Sequence, residues 1–366
     1  MLILNNDEID SLLSMEASVD HLEEAYRALA EGRAVNRPRT DLYHTDPESD
    51  TVYVFKTMEG GSLDTGMAAL RLCSDVIRWE EREGAIVKQK LPVAPGKKWV
   101  GLVLLFSVET TEPLAMFPDG VVQVTRVAAT SAVAARHLAR EDASTLGLIG
   151  SGWQARAHVR AMCAVRKIEK VNVYSLTQAN REAFAEEMQS KVNVPIIPVE
   201  EPEAAAQDAD ILVAATNAIS QIIFPKWLRP GMHVTCIKDS ELAEDTIRGC
   251  HHVVIHERKW APENYINGFG GQKIEVHDPI AFLRGGDKPP AEALEAPFWA
   301  AHPEIKDVVV GKVPGRTSDE QITCFINNIG TGIQFNALGA AVYREARAQG
   351  VGREIPTDWF LESVHN

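Results

Sequence analysis

The chain lacks the usual marks of a membrane, nucleic-acid or disulfide-dependent protein. Its five cysteines (Cys73, Cys163, Cys236, Cys250, Cys324) are odd in number and contain no C-x-x-C pair. That spacing excludes a disulfide framework and reads as buried thiols in a reducing compartment. No apolar run approaches the ~18 residues that span a bilayer. The leading MLILNNDEID has four apolar residues and then acids, so no signal peptide is expected. Positive charge is scarce as well: the formal net charge is −14, which argues against nucleic acid or an anionic membrane as a partner. Small anionic ligands are admissible only where cations gather locally. His256-Glu257 lacks a second histidine at metalloprotease spacing, and His251-His252 after Cys250 has no further ligand nearby, so no metal is expected. Ser151 in GSGWQ is out of frame for a nucleophile elbow. A soluble cytoplasmic protein is the expectation.

What is present is a globular composition, 45% hydrophobic and 24% charged, over 366 residues, a length that favours two domains. The most informative segment is LGLIGSGWQA at 146–155. An apolar strand runs into Gly150, Gly152 and Ala155, and the chain then turns helical. In such a strand–turn–helix the first glycine makes the tight turn, the second lets the backbone approach a pyrophosphate, and the small third residue lets helix and strand pack closely. The helix N-terminus supplies free N–H groups, so Gly150, Ser151, Gly152, Trp153 and Gln154 are the candidate dinucleotide-binding turn. The pattern continues as alternating strands and helices, with strands at 171–175, 194–199, 210–216, 233–237 and 253–256.

Upstream, residues 7–31 carry an amphipathic helix pair in which Asp7 or Ser11 can cap. The runs TVYVFKTM, MAALRLCS and WVGLVLLFSV suggest antiparallel strands of an α+β block. An alanine-rich helix is expected at 123–140, a loop-rich segment with Gly285-Gly286 and Pro289-Pro290 after 280, and a long helix at 321–349. The expected architecture is α/β: a Rossmann-type dinucleotide-binding domain (126–320) inserted into a discontinuous α+β substrate and dimerisation domain (1–125 and 321–366).

With these blocks placed, the chain resembles the ornithine cyclodeaminase/mu-crystallin family over nearly its whole length. The matching segments are GLVLLFSVETTEPLAM, TRVAATSAVAARHLAR, GLIGSGWQARAHVRAM, VNVYSLTQANREAFA, DILVAATN, RPGMHV and GRTSDEQITCFINNIGTGIQ. The resemblance implies a homodimer and hydride transfer between a nicotinamide and the α-carbon of an amino or imino acid, of the ketimine reductase or amino acid dehydrogenase type. A cyclodeaminase or ammonia-lyase that uses bound NAD catalytically is an alternative, and a non-catalytic nucleotide-binding accessory protein is another. The family's carboxylate-binding cations fall on Arg39, Arg71 and Arg126, the last of which opens the alanine-rich helix. Arginine suits that task because its planar fork grips a carboxylate at two points.

Two departures from the family pattern bear on the substrate. Arg71 stands where cyclodeaminases carry a lysine that moves protons, and arginine holds its proton too firmly for that work. After the fifth strand, HVTCIKDSELAED has a shorter loop with no glycine, so Asp239 is the nearest candidate for the family's acid, with Lys238 beside it as a second catalytic candidate. Ornithine itself is therefore disfavoured. For the cofactor, the end of the second strand carries Ser175, Leu176 and Thr177, with Arg181 one turn on and no acid. That favours NADP over NAD. Thr216 and Asn217 are placed beside the nicotinamide half. Specificity is expected from the 75–100 insertion (Asp75, Arg78, Trp79, Trp99), with Trp79 and Trp99 read as core or interface residues rather than pocket walls.

Overall fold

The computed structural model describes residues 1–46, 48–82, 85–218, 220–269, 271–276, 278–284 and 294–363. Strand β1 (Leu2–Ile3) leads into α1 (Asn6–Leu12) and α2 (Met15–Ala30), the amphipathic pair. The caps are Asn5 and Ser14 rather than Asp7 or Ser11. Asn5 Oδ1 accepts from the Glu8 N–H at 3.0 Å and Ser14 Oγ from the Ala17 N–H at 3.1 Å, because both helices start just after these residues.

Next come β2 (Ala34–Asn36), β3 (Thr40–Thr45), β4 (Thr51–Ser62), β5 (Met67–Arg82), β6 (Ala85–Leu91), β7 (Val100–Ser107) and β8 (Pro113–Pro118). β3, β4, β5, β7 and β8 pair antiparallel in that order, and β6 folds back on the far half of β5. Period-two alternation puts Val52, Val54 and Met58 of β4, Ala69 and Ile77 of β5, and Val103 and Leu105 of β7 on one buried face. Each fully buried aliphatic side chain stabilises that face by roughly 1.5–3 kcal/mol. The same face carries Arg71, Cys73 and Asp75, so its middle is polar between two apolar ends.

Helix α3 (Gly120–Leu138) starts three residues before the expected 123. It is followed by β9 (Thr145–Ile149), α4 (Trp153–Val165), β10 (Lys170–Tyr174), α5 (Gln178–Val192), β11 (Ile196–Pro198), α6 (Pro202–Ala206), β12 (Ile211–Ala214), β13 (His233–Cys236), α7 (Glu244–Arg248) and β14 (His252–Ile255). The chain then runs through β15 (Glu263–Ile266), α8 (Pro279–Arg284), α9 (Ile305–Val309), β16 (Thr323–Ile326), α10 (Gly332–Gln349) and β17 (Arg353–Glu354). The second sheet is entirely parallel, in the order β11-β10-β9-β12-β13-β16-β14. Chain direction across the sheet reverses between β9 and β12, and a crevice opens there at the carboxyl ends of the strands. Ala128, Ala129, Ala132, Ala134 and Ala135 of α3 are fully buried, and their small side chains let α2 and α4 lie close against it.

Three expectations change. The segment 321–349 is not one helix: Thr323–Ile326, all buried, insert as β16 between β13 and β14, and the helix begins only at Gly332. A boundary between 320 and 321 therefore separates β16 from the sheet it completes. β15, expected within the nucleotide domain, instead pairs parallel with β3 of the first sheet. The glycine- and proline-rich loop after 280 (Gly285-Gly286, Pro289-Pro290) lies outside the described residues. Among the described residues no helix is long and apolar enough to cross a membrane.

Candidate active site

The glycine turn between β9 and α4 contains two glycines that differ in kind. Gly150 has φ +122°, and a Cβ there would lie 2.2 Å from the Ala215 carbonyl oxygen, so the protein's own packing demands glycine. Gly152, the N-cap of α4, has an ordinary φ of −83° and nothing within 4 Å of where its Cβ would stand. The bare backbone at Gly152 thus serves no internal contact, and it faces a cleft of about 810 Å³.

That cleft brings together most of the expected cofactor residues: Gly150, Ser151, Gly152, Trp153 and Gln154 on one side, Ser175 and Thr177 beyond β10, and Thr216 and Asn217 beyond β12. Ser151 Oγ donates to Ser175 Oγ at 2.9 Å, which pins the turn to the end of β10. Arg181 folds back so that its guanidinium donates to the Ser175 carbonyl at 3.1 Å. Leu176 is 90% exposed at the cleft edge. Gln154 Oε1 is buried without a hydrogen-bond partner. An orphaned acceptor, an open glycine and a helix N-terminus at one cleft form a cradle that fits a dinucleotide.

The loops after β12 and β13 are tied by a residue that the sequence reading missed. Glu241 is fully buried, and its carboxylate accepts from four donors. Thr216 N–H and Oγ1–H reach Oε1 at 2.8 and 2.7 Å, and the Ile237 and Lys238 N–H groups reach Oε2 at 3.0 and 3.1 Å. Burial nonetheless holds its pKa above the ordinary value. Its position in the acid-rich KDSELAED stretch reads as a surface turn, so residue type alone gives no signal. Asp239 only opens a short 3-10 turn. Lys238 is half-buried, with its Nζ 3.4 Å from the Ala218 carbonyl at the cleft wall, and burial lowers its pKa.

Arg71 and Arg126 stand close together and Arg39 lies within electrostatic reach of Arg126, but their partners differ. Arg39 forks onto the buried Asp41, with Nε donating at 2.7 Å. Burial opposes both charges, yet each partner stabilises the other, so the Asp41 pKa lies below and that of Arg39 above its ordinary value. Arg71 binds Asp119 through Nε at 2.8 Å and Nη2 at 2.7 Å. Arg126 lies inside α3 rather than opening it, because the helix extends back to Gly120. Its guanidinium meets only neutral amides, Gln334 Oε1 at 3.1 Å and Gln123 Oε1 at 3.4 Å. Among the described residues no carboxylate pairs with it. Burial, and then the nearby Arg71, push its pKa down to about 9. Arg71 and Arg126 both stand over the Phe335 ring, 5.4 and 5.5 Å from its centroid.

A buried polar chain fixes Arg126 from behind. Gln334 Nε2 donates to Thr130 Oγ1 at 2.7 Å and to Tyr26 Oη at 3.1 Å, and Tyr26 Oη lies 3.1 Å from His256 Nε2. His256 Nδ1 lies 2.6 Å from the Ile329 carbonyl and so carries the proton. Burial drops the His256 pKa to about 4, which keeps the ring neutral. Of the insertion residues, Asp75 is buried on the inner sheet face, Arg78 lies 3.2 Å from Gln89 Oε1, and Trp79 donates to Asp278 at 3.2 Å. Trp99, expected in a core or interface, is 55% exposed and lines a second cleft of about 1000 Å³ with Arg71 and Asp119. Its indole N–H donates to the Lys90 carbonyl of β6 at 3.4 Å. Trp153 borders both clefts, so the second cleft adjoins the dinucleotide cradle.

The family model for the ornithine cyclodeaminase/mu-crystallin family matches residues 88–350. The Delta(1)-pyrroline-2-carboxylate reductase of Bacillus cereus is 27% identical over 361 residues, which is 97% of this chain and 99% of the relative. The alanine dehydrogenase of Archaeoglobus fulgidus is 26% identical over 355 residues, covering 97% and 98% of the two chains. The Thermococcus litoralis Delta(1)-pyrroline-2-carboxylate reductase, solved in complex with NADH and L-proline, superposes with a TM-score of 0.74 at 26% identity, over 97% of this chain and 100% of that one.

Proposed function

The chain belongs to the ornithine cyclodeaminase/mu-crystallin family, and from that premise we propose that it is an NAD(P)-dependent oxidoreductase acting on an imino or amino acid, of the imine reductase type. The observation that carries this reading is the pairing of an open Gly152 cradle with a buried arginine that lacks an anion. A nicotinamide bound there supplies or receives the hydride at the substrate's α-carbon. The protein's residues orient and neutralise. Arg126 grips the α-carboxylate, Arg71 beside it is held in place by Asp119, and Phe335 keeps both guanidinium groups over one apolar floor. Arg39, tied to Asp41, is already neutralised and leaves the α-carboxylate to Arg126. Lys238 Nζ, rather than Asp239, manages the proton at the imine nitrogen, because its amine reaches the cleft wall and burial eases its deprotonation.

The cofactor preference is for NADP. Ser175, Thr177 and Arg181 surround the end of β10 without an acid that would repel a 2′-phosphate. The assembly is a homodimer formed through the outward sheet face, where Leu42, Tyr53 and Val100 are each more than a third exposed. Light scattering on the purified protein reads that state directly.

The decisive assay follows absorbance at 340 nm with NADPH or NADH, a 2-oxo acid and ammonium or methylamine. Steady oxidation of the reduced cofactor is the expected result. Ammonia release from an amino acid with no net absorbance change would instead identify a cyclodeaminase. Tight cofactor binding without turnover across the panel would identify an accessory protein.

A further inference from the structure

Two arginine–aspartate pairs lie beside the first sheet, and they are built differently. In Arg39–Asp41 each carboxylate oxygen takes one guanidinium nitrogen, so the two forks satisfy each other. In Arg71–Asp119 a single oxygen takes every donor. Oδ2 receives Arg71 Nε at 2.8 Å, Arg71 Nη2 at 2.7 Å and the Cys73 thiol at 3.5 Å. Burial pushes the Cys73 thiol up to about 11, so it stays a neutral donor. Among the described residues no donor reaches Asp119 Oδ1.

The surroundings fix that carboxylate without using its second oxygen. Asp119 is the N-cap of α3, where aspartate ordinarily accepts from the N–H groups of the first turn, yet it makes no such bond. It lies instead against Gly101 of β7, where a Cβ would come within 2.1 Å of Oδ1, and its own N–H donates to the Gly101 carbonyl at 3.0 Å. Any side chain at 101 would evict the carboxylate. Arg71, Gly101 and Asp119 all line the cleft of about 1000 Å³ that adjoins the dinucleotide cradle at Trp153. Of the other acids lining it, Glu187 is shared by Arg156 and Lys191, and Asp10 is exposed on α1. Of its lysines, Lys90 is tied to Asp75. Asp119 is thus the carboxylate that stands with the arginines of the site.

A nitrogen on an α-carbon lies about 3 Å from the nearer oxygen of the carboxylate on that carbon. With that carboxylate on Arg126 beside Arg71, a cationic nitrogen would face two guanidinium groups, and like charge drives its proton off. Hydride adds most readily to the protonated, electron-poor C=N bond, so the site needs a nearby anion. Arg71 Nη2 and Asp119 Oδ2 set opposite charges 2.7 Å apart, close to the spacing of the substrate's own two charges.

We infer that Arg71 and Asp119 form a zwitterion site: with the α-carboxylate on Arg126 beside Arg71, Asp119 Oδ1 accepts a hydrogen bond from the cationic iminium or ammonium nitrogen. This rests on the imino acid reading of the same site, in which Lys238 still moves the proton. The test titrates protein loaded with reduced cofactor by calorimetry, using L-alanine and propionate, which differ by the ammonium group. The parent should bind L-alanine at least tenfold more tightly. Asp119→Asn should erase that advantage while changing propionate affinity less than threefold. At 340 nm with pyruvate and methylamine, kcat of the variant should fall at least tenfold. The alkaline limb of its kcat/KM profile should move down by about one pH unit or more, because a carboxylate beside an iminium raises the iminium pKa and its removal lowers it. Equal binding of the two ligands by the parent would overturn the inference, and so would an unmoved alkaline limb. Equal weakening of both ligands in the variant would also overturn it and make Asp119 a brace for Arg71; all three outcomes leave the imino acid reading intact. Failure of both ligands to bind the parent would overturn that reading as well.

Discussion

Arg126 permits a prediction in which stability and binding move in opposite directions. Placing a guanidinium in a buried site without a counter-ion costs several kcal/mol after relaxation. Its returns here are two hydrogen bonds to neutral amides, roughly 1–1.5 kcal/mol each, and a contact with Phe335 worth about 1–2 kcal/mol. Arg71 nearby adds repulsion. The balance in the ligand-free protein is a deficit of about 1–3 kcal/mol. Arg126→Met has similar volume and no charge, and Gln334 Oε1 keeps the Thr331 N–H at 3.0 Å as a partner. The variant is therefore expected to unfold in urea at a higher midpoint than the parent, by an amount equivalent to that deficit. Carboxylate binding should move the other way. Calorimetric titration of cofactor-loaded protein with pyruvate should weaken by 2–5 kcal/mol, which is about 30-fold or more. Loss of stability by 3 kcal/mol or more, together with pyruvate affinity unchanged within threefold, would refute the argument and make Arg126 a structural cation.

Three further outcomes follow from the same geometry. Gly152→Val should leave unfolding stability within about 1 kcal/mol yet abolish dinucleotide binding by fluorescence titration. Gly150→Ala, forced to φ +122° against the Ala215 carbonyl, should lose more than about 3 kcal/mol; equal stability of the two variants would contradict the distinction between them. Glu241→Ala strips the acceptor from three backbone N–H groups and should cost about 2–4 kcal/mol and weaken cofactor binding more than tenfold, because the post-β12 and post-β13 loops separate. An unaltered cofactor affinity in that variant would show that the clamp is irrelevant to the cradle. His158, His233 and His256 are buried and neutral, with pKa values lowered by burial to about 4, 3 and 4. The unfolded chain binds protons on these rings below about pH 6.5 while the native state does not. Their contribution is thus fully present above pH 6.5 and is lost as pH falls toward 4, by up to about 1.4 kcal/mol per pH unit for each proton taken up. Calorimetric midpoints that stay flat from pH 6.5 to 4.5 would count against it.

The division between what residues announce and what folding decides follows physical range. The strand–turn–helix at 146–165 was legible because its requirements are local: a positive φ at Gly150, an uncrowded N-cap at Gly152 and helical periodicity after it. The alternating strands were legible for the same reason, since burial on both faces leaves continuous apolar runs. Four features were not legible. β16 reads as part of a helix because TCFI is short and a helix does follow, and only the gap between β13 and β14 makes it a strand. β15 joins the other sheet through pairing that no local pattern encodes. Glu241 looks like one acid among several until the ends of β12 and β13 bring four donors to it. The arginines at 39, 71 and 126 were picked out by resemblance, but only tertiary packing decides that two of them are already neutralised and the third is not. Local steric and periodic constraints are written into neighbouring residues. Charge balance across a buried site depends on which distant groups fold onto it, so it exists only in three dimensions.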